Sequence, residues 1–214
     1  MIELGIKVLG AYLLGTLLGS LVLGRLRGVD IRRLGSGNAG ATNALRTQGK
    51  WFGAAVLAID VLKGVAAVAW LPGVALPGIP PDPEVAREWL RLACAGAVIL
   101  GHVYPVWFGF RGGKGVATVV GVIGAVDARL LLPLLATWLV VLLLSGYVGL
   151  ASMLAGASLA VSVALRRPLD LPLLCFCGGV AAFVVYTHRG NIARMRRGEE
   201  HRVRRLWLFR SRAA

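Results

Sequence analysis

Seven long apolar runs, separated by short polar segments, leave this 214-residue chain one broad way to fold. They lie at residues 2–23, 51–71, 90–108, 116–126, 130–144, 147–165 and 171–186. Hydrocarbon offers no hydrogen-bonding solvent, so apolar segments of this kind are read as helices that pair their own backbone groups. The expected fold class is all-α, a polytopic membrane helical bundle with about seven transmembrane helices, forming a single integral membrane domain over residues 1–214. A hydrophobic content of 57%, only 16% charged residues and a mean hydropathy of +0.74 exclude a soluble globular domain. A perpendicular span needs roughly 20 residues, and several runs fall short of it. The shortest, 116–126, is expected to end inside protein or beside a water-filled recess.

Tryptophans support these boundaries. Trp51 and Trp70 bracket the second run, and Trp89 and Trp107 bracket the third. At roughly 1.5 Å per residue each interval approaches the hydrocarbon thickness of about 30 Å, which places the four indoles at interfaces. Trp138 falls within a span instead.

Cytoplasmic flanks accumulate Lys and Arg, so the basic residues set the orientation. Residues 25–50 hold six, the loop at 110–118 holds Arg111 and Lys114, and the tail from Arg189 onward holds nine arginines. Seven spans put all three on the cytoplasmic side, with the amino terminus outside and the carboxyl terminus inside. Asp82, Glu84, Glu88, Asp127 and Asp170 then lie opposite. Arg166 and Arg167 run against this count, and a six-span arrangement that fuses 116–144 into one element is the competing topology. The first run lacks the basic leader and cleavage site of a secretory signal, and is read as retained.

Cys94, Cys175 and Cys177 lie in apolar runs with no metal or disulfide spacing, and are expected to be small core residues. His102, His188 and His201 lack metal-site spacing, so neither a metal nor a cofactor is expected. A net charge of +14 raises nucleic-acid binding. The positive-inside requirement and attraction to anionic headgroups already account for the basic tail, with Leu206, Trp207, Leu208 and Phe209 as anchors; no nucleic-acid partner is expected, and the bilayer is.

Three polar segments at the ends of apolar runs carry the chemistry, and their spacing predicts one shared site. In residues 35–46, Ser36, Asn38, Thr42 and Asn43 alternate with Gly35, Gly37 and Gly40, which permits tight turns and exposed amides, and Arg46 follows. In residues 110–118, Gly112, Gly113, Lys114 and Gly115 precede an apolar helix, whose first amides and positive end suit an anion. Gly115 follows Lys114 where a Walker loop needs Ser or Thr, so this is not that motif. In residues 187–200, His188, Asn191 and Arg194 share one helical face if the last helix continues, with Glu200 beyond them.

Together these segments resemble the bacterial acyl-phosphate:glycerol-3-phosphate acyltransferase family. The residues that carry the resemblance are Gly35 to Asn43 with Arg46, Gly112 to Thr118, and His188, Asn191, Ile192, Arg194, Gly198 and Glu200. Further similar stretches are Asp60 to Gly64, Gly101 to Pro105 and Tyr147 to Ser152. Ala39 stands where the family usually has proline, which is expected to loosen a turn. Gly149 stands where serine is usual, leaving Ser152 as the candidate serine.

The resemblance implies transfer of a fatty acyl group from acyl phosphate to the 1-hydroxyl of glycerol 3-phosphate, giving lysophosphatidic acid and inorganic phosphate. It implies Ser36, Arg46, Lys114 and His188 as catalytic. It further implies Gly37, Asn38, Gly40, Thr42, Asn43, Gly112, Gly113, Gly115, Thr118, Ser152, Asn191, Arg194 and Glu200 as substrate-binding. Two phosphorylated substrates require cations and amides beside an apolar slot. Acyl transfer builds negative charge on the carbonyl oxygen, for which Ser36 and the loop amides are candidate donors. Acyl phosphate is already activated, which points to direct attack without an acyl-enzyme. His188 either takes the hydroxyl proton or binds phosphate. No histidine has Asp five positions later, which disfavours the thioester-dependent acyltransferase class. A carrier for phosphorylated solutes and an anionic-lipid-binding scaffold are the competing readings; membrane-embedded Asp60 and Lys63 suit the carrier, and the plain alternative is a packed i,i+3 pair that holds the second span against its neighbours.

Overall fold

The structure, a computed structural model, describes residues 1–203, 207 and 208. Among them are ten α-helices, joined by loops and short 3-10 turns, and a single isolated bridge between Leu76 and Ile79. The chain divides into two compact units, Met1–Asp127 and a second beginning at Ala128.

The first unit contains α1 (Ile2–Gly15), α2 (Gly19–Leu26), α3 (Ala41–Gln48), α4 (Lys50–Ala69), α5 (Arg87–Val103) and α6 (Val116–Val126). The second contains α7 (Leu131–Ser145), α8 (Val148–Ala164), α9 (Leu171–Thr187) and α10 (Arg189–Arg196). Lys50–Gly73, Arg87–Phe108 and Ala128–Ser145 are each long and apolar enough to cross a bilayer, and α1 with α2 and α9 with α10 qualify as bent pairs. α6 and α8 are shorter apolar helices. These are the seven apolar elements of the sequence. α6 and α7 are separate, interrupted by extended backbone at Asp127 and a 3-10 turn, so the fused six-span element does not form.

The first apolar run is not continuous. It breaks at residues 16–18 and turns by 50°. The Thr16 hydroxyl donates back to the Leu13 carbonyl (2.6 Å), and the Gly15 and Leu17 carbonyls released by the break accept from Lys63 Nζ at 2.8 and 3.1 Å. A break inside an apolar run persists only when such orphaned groups find partners.

Within the first unit, glycine seams bring helices close. A Cβ on Gly101 would overlap the Tyr12 carbonyl oxygen of α1, and one on Gly121 would overlap the Val61 carbonyl of α4. Small residues at such seams let backbones pack where lipid gives helices no hydrophobic reason to associate. The start of α1 is stapled by charge: Lys7 Nζ donates to Glu3 and to the Pro72 carbonyl, both at 2.7 Å, while Arg87 donates to Glu3 at 2.7 Å. The terminal amine and the Leu4 amide both donate to Asp82, and this amine holds the Asp82 carboxyl below the usual carboxylate range. The polar segments of this unit lie at the other end of α1.

Trp51, Trp70, Trp89 and Trp107 are 78%, 71%, 54% and 63% exposed, as interfacial rings and not as core packing. Trp138, by contrast, donates to Ser152 Oγ at 3.3 Å and ties α7 to α8.

In the second unit α8 and α9 run antiparallel, with Gly149 against Asn191 and Gly156 against Ala181. Arg166 and Arg167 therefore lie at the end of this unit remote from His188. Arg167 caps α8 by donating to the Ala164 and Arg166 carbonyls at 3.2 and 2.8 Å, a local use of positive charge at a helix C-terminus. The tail returns onto the α7–α8 turn, where the Val203 amide donates to the Gly146 carbonyl and Trp207 Nε1 to the Leu144 carbonyl. Arg202 stacks over Tyr147 and Trp207. The expected anchors Leu206 and Phe209 lie outside the described residues.

Candidate active site

The first polar segment is a loop that opens into α3, and Asn43 organises it. This side chain is buried, and its amide nitrogen donates to the carbonyls of Leu34 (2.9 Å), Asn38 (3.0 Å) and Ile31 (3.2 Å) while its oxygen accepts from the Ser36 amide (3.0 Å). Gly35 has φ +56, and a Cβ there would overlap Asn43 Oδ1, so both its conformation and its missing side chain are required. Beneath the loop an apolar floor of Ile31, Ala44, Phe52 and Val56 holds the start of α3. The turn that a proline would stiffen is held instead by burial of Ala39 against Leu18, Leu21 and Phe108, with its carbonyl accepting from Ser20 Oγ at 2.7 Å. Ala39 is thus anchored, not loosened. Ser36, Gly37, Thr42 and Arg46 are exposed above this floor, and Asn38 and Gly40 are half-buried. Gly40 caps α3 without a side chain, leaving its first-turn amides available to an anion.

The second segment packs directly onto the end of α5. The Gly112 amide donates to the Val103 carbonyl (3.0 Å) and the Gly113 amide to the His102 carbonyl (3.2 Å). These two amides are therefore used to fix the loop. The first-turn amides of α6 precede any intrahelical acceptor, and its N-cap, Gly115 at φ +83, provides no side-chain cap. Lys114 is half-buried beside them, and the Thr118 hydroxyl one turn on is buried without a hydrogen-bond partner.

Arg32 joins the two segments. It donates to the Phe108 carbonyl (3.0 Å) and the Arg111 carbonyl (3.3 Å), and its guanidinium grips Asp30 at 2.9 Å. Those side-chain bonds hold the Asp30 carboxyl below its ordinary value and the Arg32 guanidinium above its own. A loop rich in small polar residues is thereby bolted to a glycine loop that leads into a helix N-terminus, with Arg46 and Lys114 as additional cations.

In the second unit the last helix does not continue. It turns by 53° at His188, so His188, Asn191 and Arg194 do not share the face of one straight helix. His188 is buried, and its Nδ1 lies 2.8 Å from the Val184 carbonyl. That carbonyl acceptor fixes a proton on Nδ1 and leaves Nε2 as the basic nitrogen. Glu200 gathers the others, accepting from Asn191 Nδ2 and Arg194 Nε, each at 2.6 Å. Gly149 makes room for this: a Cβ would sit 3.0 Å from Asn191 Nδ2. Ser152 is buried, donates to the Val148 carbonyl at 2.9 Å and receives Trp138, so its hydroxyl serves the α7–α8 contact.

The sequence profile described as Glycerol-3-phosphate acyltransferase matches residues 5–198, through both units. The chain belongs to that family. A glycerol-3-phosphate acyltransferase of Chlorobium phaeobacteroides (strain BS1) is 37% identical over 220 residues, covering 91% of this chain and 94% of the relative. Its counterpart from Aquifex aeolicus (strain VF5) is 40% identical over 198 residues, covering 91% and 96%. The crystal structure of PlsY (YgiH), an integral membrane glycerol 3-phosphate acyltransferase in its glycerol 3-phosphate form, superimposes with a TM-score of 0.79 at 37% identity, covering 93% of this chain and 94% of that one. The lysophosphatidic acid form gives a TM-score of 0.77.

Against this family background, sequence reasoning missed two groups. Arg32 counted only among the basic-flank residues and Asp30 was not singled out, although the Asp-x-Arg spacing next to a glycine loop was a usable signal for a local clamp. Asp60 and Lys63 were read as an i,i+3 pair, but nothing local in the sequence says that they meet His102. They do: Lys63 Nζ lies 3.0 Å from Asp60 Oδ1 and 2.9 Å from His102 Nδ1.

Proposed function

We propose that this chain transfers a fatty acyl group from acyl phosphate to the 1-hydroxyl of glycerol 3-phosphate at the inner face of a bacterial plasma membrane. The hydroxyl oxygen attacks the acyl carbonyl carbon, the new ester bond forms, the carbonyl-to-phosphate C–O bond breaks, and lysophosphatidic acid and inorganic phosphate leave. The hydroxyl proton goes to His188 or to a substrate phosphate. One catalytic domain over residues 1–214 carries the reaction, with its amino terminus outside and its carboxyl terminus in the cytoplasm.

The observation that carries this reading is the pair of clamped segments in the first unit. Ser36 and Arg46 stand exposed on a loop fixed by Asn43, and Lys114 stands at an uncapped helix N-terminus, the two joined through Arg32. Such a set offers cations and amides to phosphate and donors to a developing oxyanion. Gly37, Asn38, Gly40, Thr42, Gly112, Gly113, Gly115 and Thr118 shape the two loops around the substrates, with Asn43 holding the first in place. Asn191, Arg194 and Glu200 form the polar contact set of the second unit beside His188, and Ser152 acts from behind it through packing. PlsY, solved in glycerol 3-phosphate and lysophosphatidic acid forms, supports the acceptor and product. The carrier and scaffold readings give way to an enzyme on family membership.

Purified protein in detergent tests the proposal. Palmitoyl phosphate should release phosphate only when glycerol 3-phosphate is present, and acyl-CoA and acyl carrier protein should not replace it. Phosphate release without acceptor, or equal rates of lysophosphatidic acid formation from a thioester donor, refutes the assignment.

A further inference from the structure

The buried cluster beneath the second glycine loop has a geometry that extends the proposed reaction beyond the loops themselves. His102 is 2% exposed, at the end of α5. On its Nδ1 side, Lys63 Nζ lies at 2.9 Å, and that ammonium also reaches Asp60 Oδ1 (3.0 Å), the Gly15 carbonyl (2.8 Å) and the Leu17 carbonyl (3.1 Å). Asp60 Oδ1 accepts in addition from the Gly19 amide at 3.2 Å. Asp60 Oδ1 also lies 3.6 Å from Nδ1, so this edge of the ring faces the ammonium and the carboxylate together.

Nε2 faces the loop. A Cβ added at Gly113 would overlap His102 Nε2 and lie 3.1 and 3.2 Å from Cε1 and Cδ2. The same residue's carbonyl holds the Gly113 amide. One histidine thus touches the glycine loop with both its backbone and its ring, while its far edge is fixed to the break between α1 and α2.

We propose that His102 is a positioning residue for acyl transfer: set by the buried Lys63–Asp60 pair, its Nε2 edge fixes Gly113, and thereby Lys114 and the first turn of α6, in the arrangement that receives a substrate phosphate. This rests on the acyltransferase reading above. A side chain that packs without setting the loop would affect stability alone, whereas a positioning residue moves KM through the fraction of molecules with a competent loop.

Two isosteric replacements separate the edges of the ring. His102→Asn keeps a polar group at the Nδ1 position beside Lys63 and Asp60 and loses the loop-facing nitrogen; His102→Gln places an amide at the Nε2 position. With palmitoyl phosphate and glycerol 3-phosphate, His102→Asn should raise KM for at least one substrate by about tenfold, with kcat changed less, while His102→Gln stays within about threefold of wild type. Thermal midpoints in detergent are read alongside. Asn equal to or better than Gln, or losses that follow thermal stability in both, overturn the positioning role. Gly113→Ala, which drives a methyl into the ring edge, gives an independent arm: it should raise KM in the same way, and an unchanged KM overturns the proposal. Wild-type protein that fails to release phosphate from palmitoyl phosphate in the presence of glycerol 3-phosphate defeats the acyltransferase reading and this inference together; an active wild type with the wrong pattern among variants defeats the inference alone.

Discussion

Replacing Asn43 with alanine should open the first loop without unfolding the protein. The side chain makes four hydrogen bonds to the backbone of residues 31–38 from a buried position, three as donor and one as acceptor. At about 0.5–1.5 kcal/mol each, with the shared donor geometry taken at the low end, their loss removes about 3 kcal/mol from the ordered loop. That multiplies the open population by about 100. The helices are fixed by separate seams, so the thermal midpoint should move little while KM for glycerol 3-phosphate rises by about 10- to 100-fold, depending on how strongly the loop is ordered in wild type. Asn43→Asp sharpens the test. It keeps the acceptor for the Ser36 amide but turns a carboxylate toward three carbonyl oxygens, so it should be at least as damaging as alanine. Steady-state kinetics in detergent together with a melting curve read both effects. Asn43→Ala with KM within about twofold of wild type would refute the view that this side chain builds the loop.

Glu200→Gln retains a partner for Asn191 but removes the charge that holds Arg194, and kcat/KM should fall by roughly tenfold, measured at saturating acyl phosphate. Gly101→Val drives a side chain into the Tyr12 carbonyl and should destabilise by about 1–3 kcal/mol in a denaturation series, whereas Gly5→Ala, with nothing within 4 Å, should not. Asp30 has a folded carboxyl held below its usual value of 3.8 by Arg32, so its contribution to stability is complete above that value and is lost as pH falls through the lower folded one. The melting-temperature gap between wild type and Asp30→Asn should therefore be positive at pH 7 and narrow as pH falls below 3.8.

Much of this was legible from local pattern. The apolar runs became helices because hydrocarbon leaves the backbone no other partner, and the terminal indoles of α4 and α5 are exposed where the spacing put them. The polar segments were legible because glycine, asparagine and lysine at helix ends have few structural uses in a greasy chain. What escaped was set by contacts distant in sequence. The break at residues 16–18 sits inside a largely apolar stretch, and the donor to its Gly15 and Leu17 carbonyls is Lys63, more than forty residues later. Asn43 read as a substrate ligand because its type suits one; its burial among three carbonyls depends on how residues 31–38 fold back over it. The turn at His188 was equally hidden, since nothing between Val184 and Ile192 breaks a helix by propensity apart from Gly190. Gly112 and Gly113 read as substrate-binding; what the structure puts against them is the end of α5, which no local pattern announces.

The ammonium of Lys63 occupies the kind of oxygen-rich nook, two main-chain carbonyls and a carboxylate at an interrupted helix, that membrane proteins elsewhere fill with sodium or potassium. Here the counter-ion is tethered by four methylenes and never has to be recruited. The kink in the first transmembrane element should accordingly hold its shape whatever the alkali-metal content of the surrounding fluid, and exchanging sodium for potassium or choline in the assay should leave turnover unchanged.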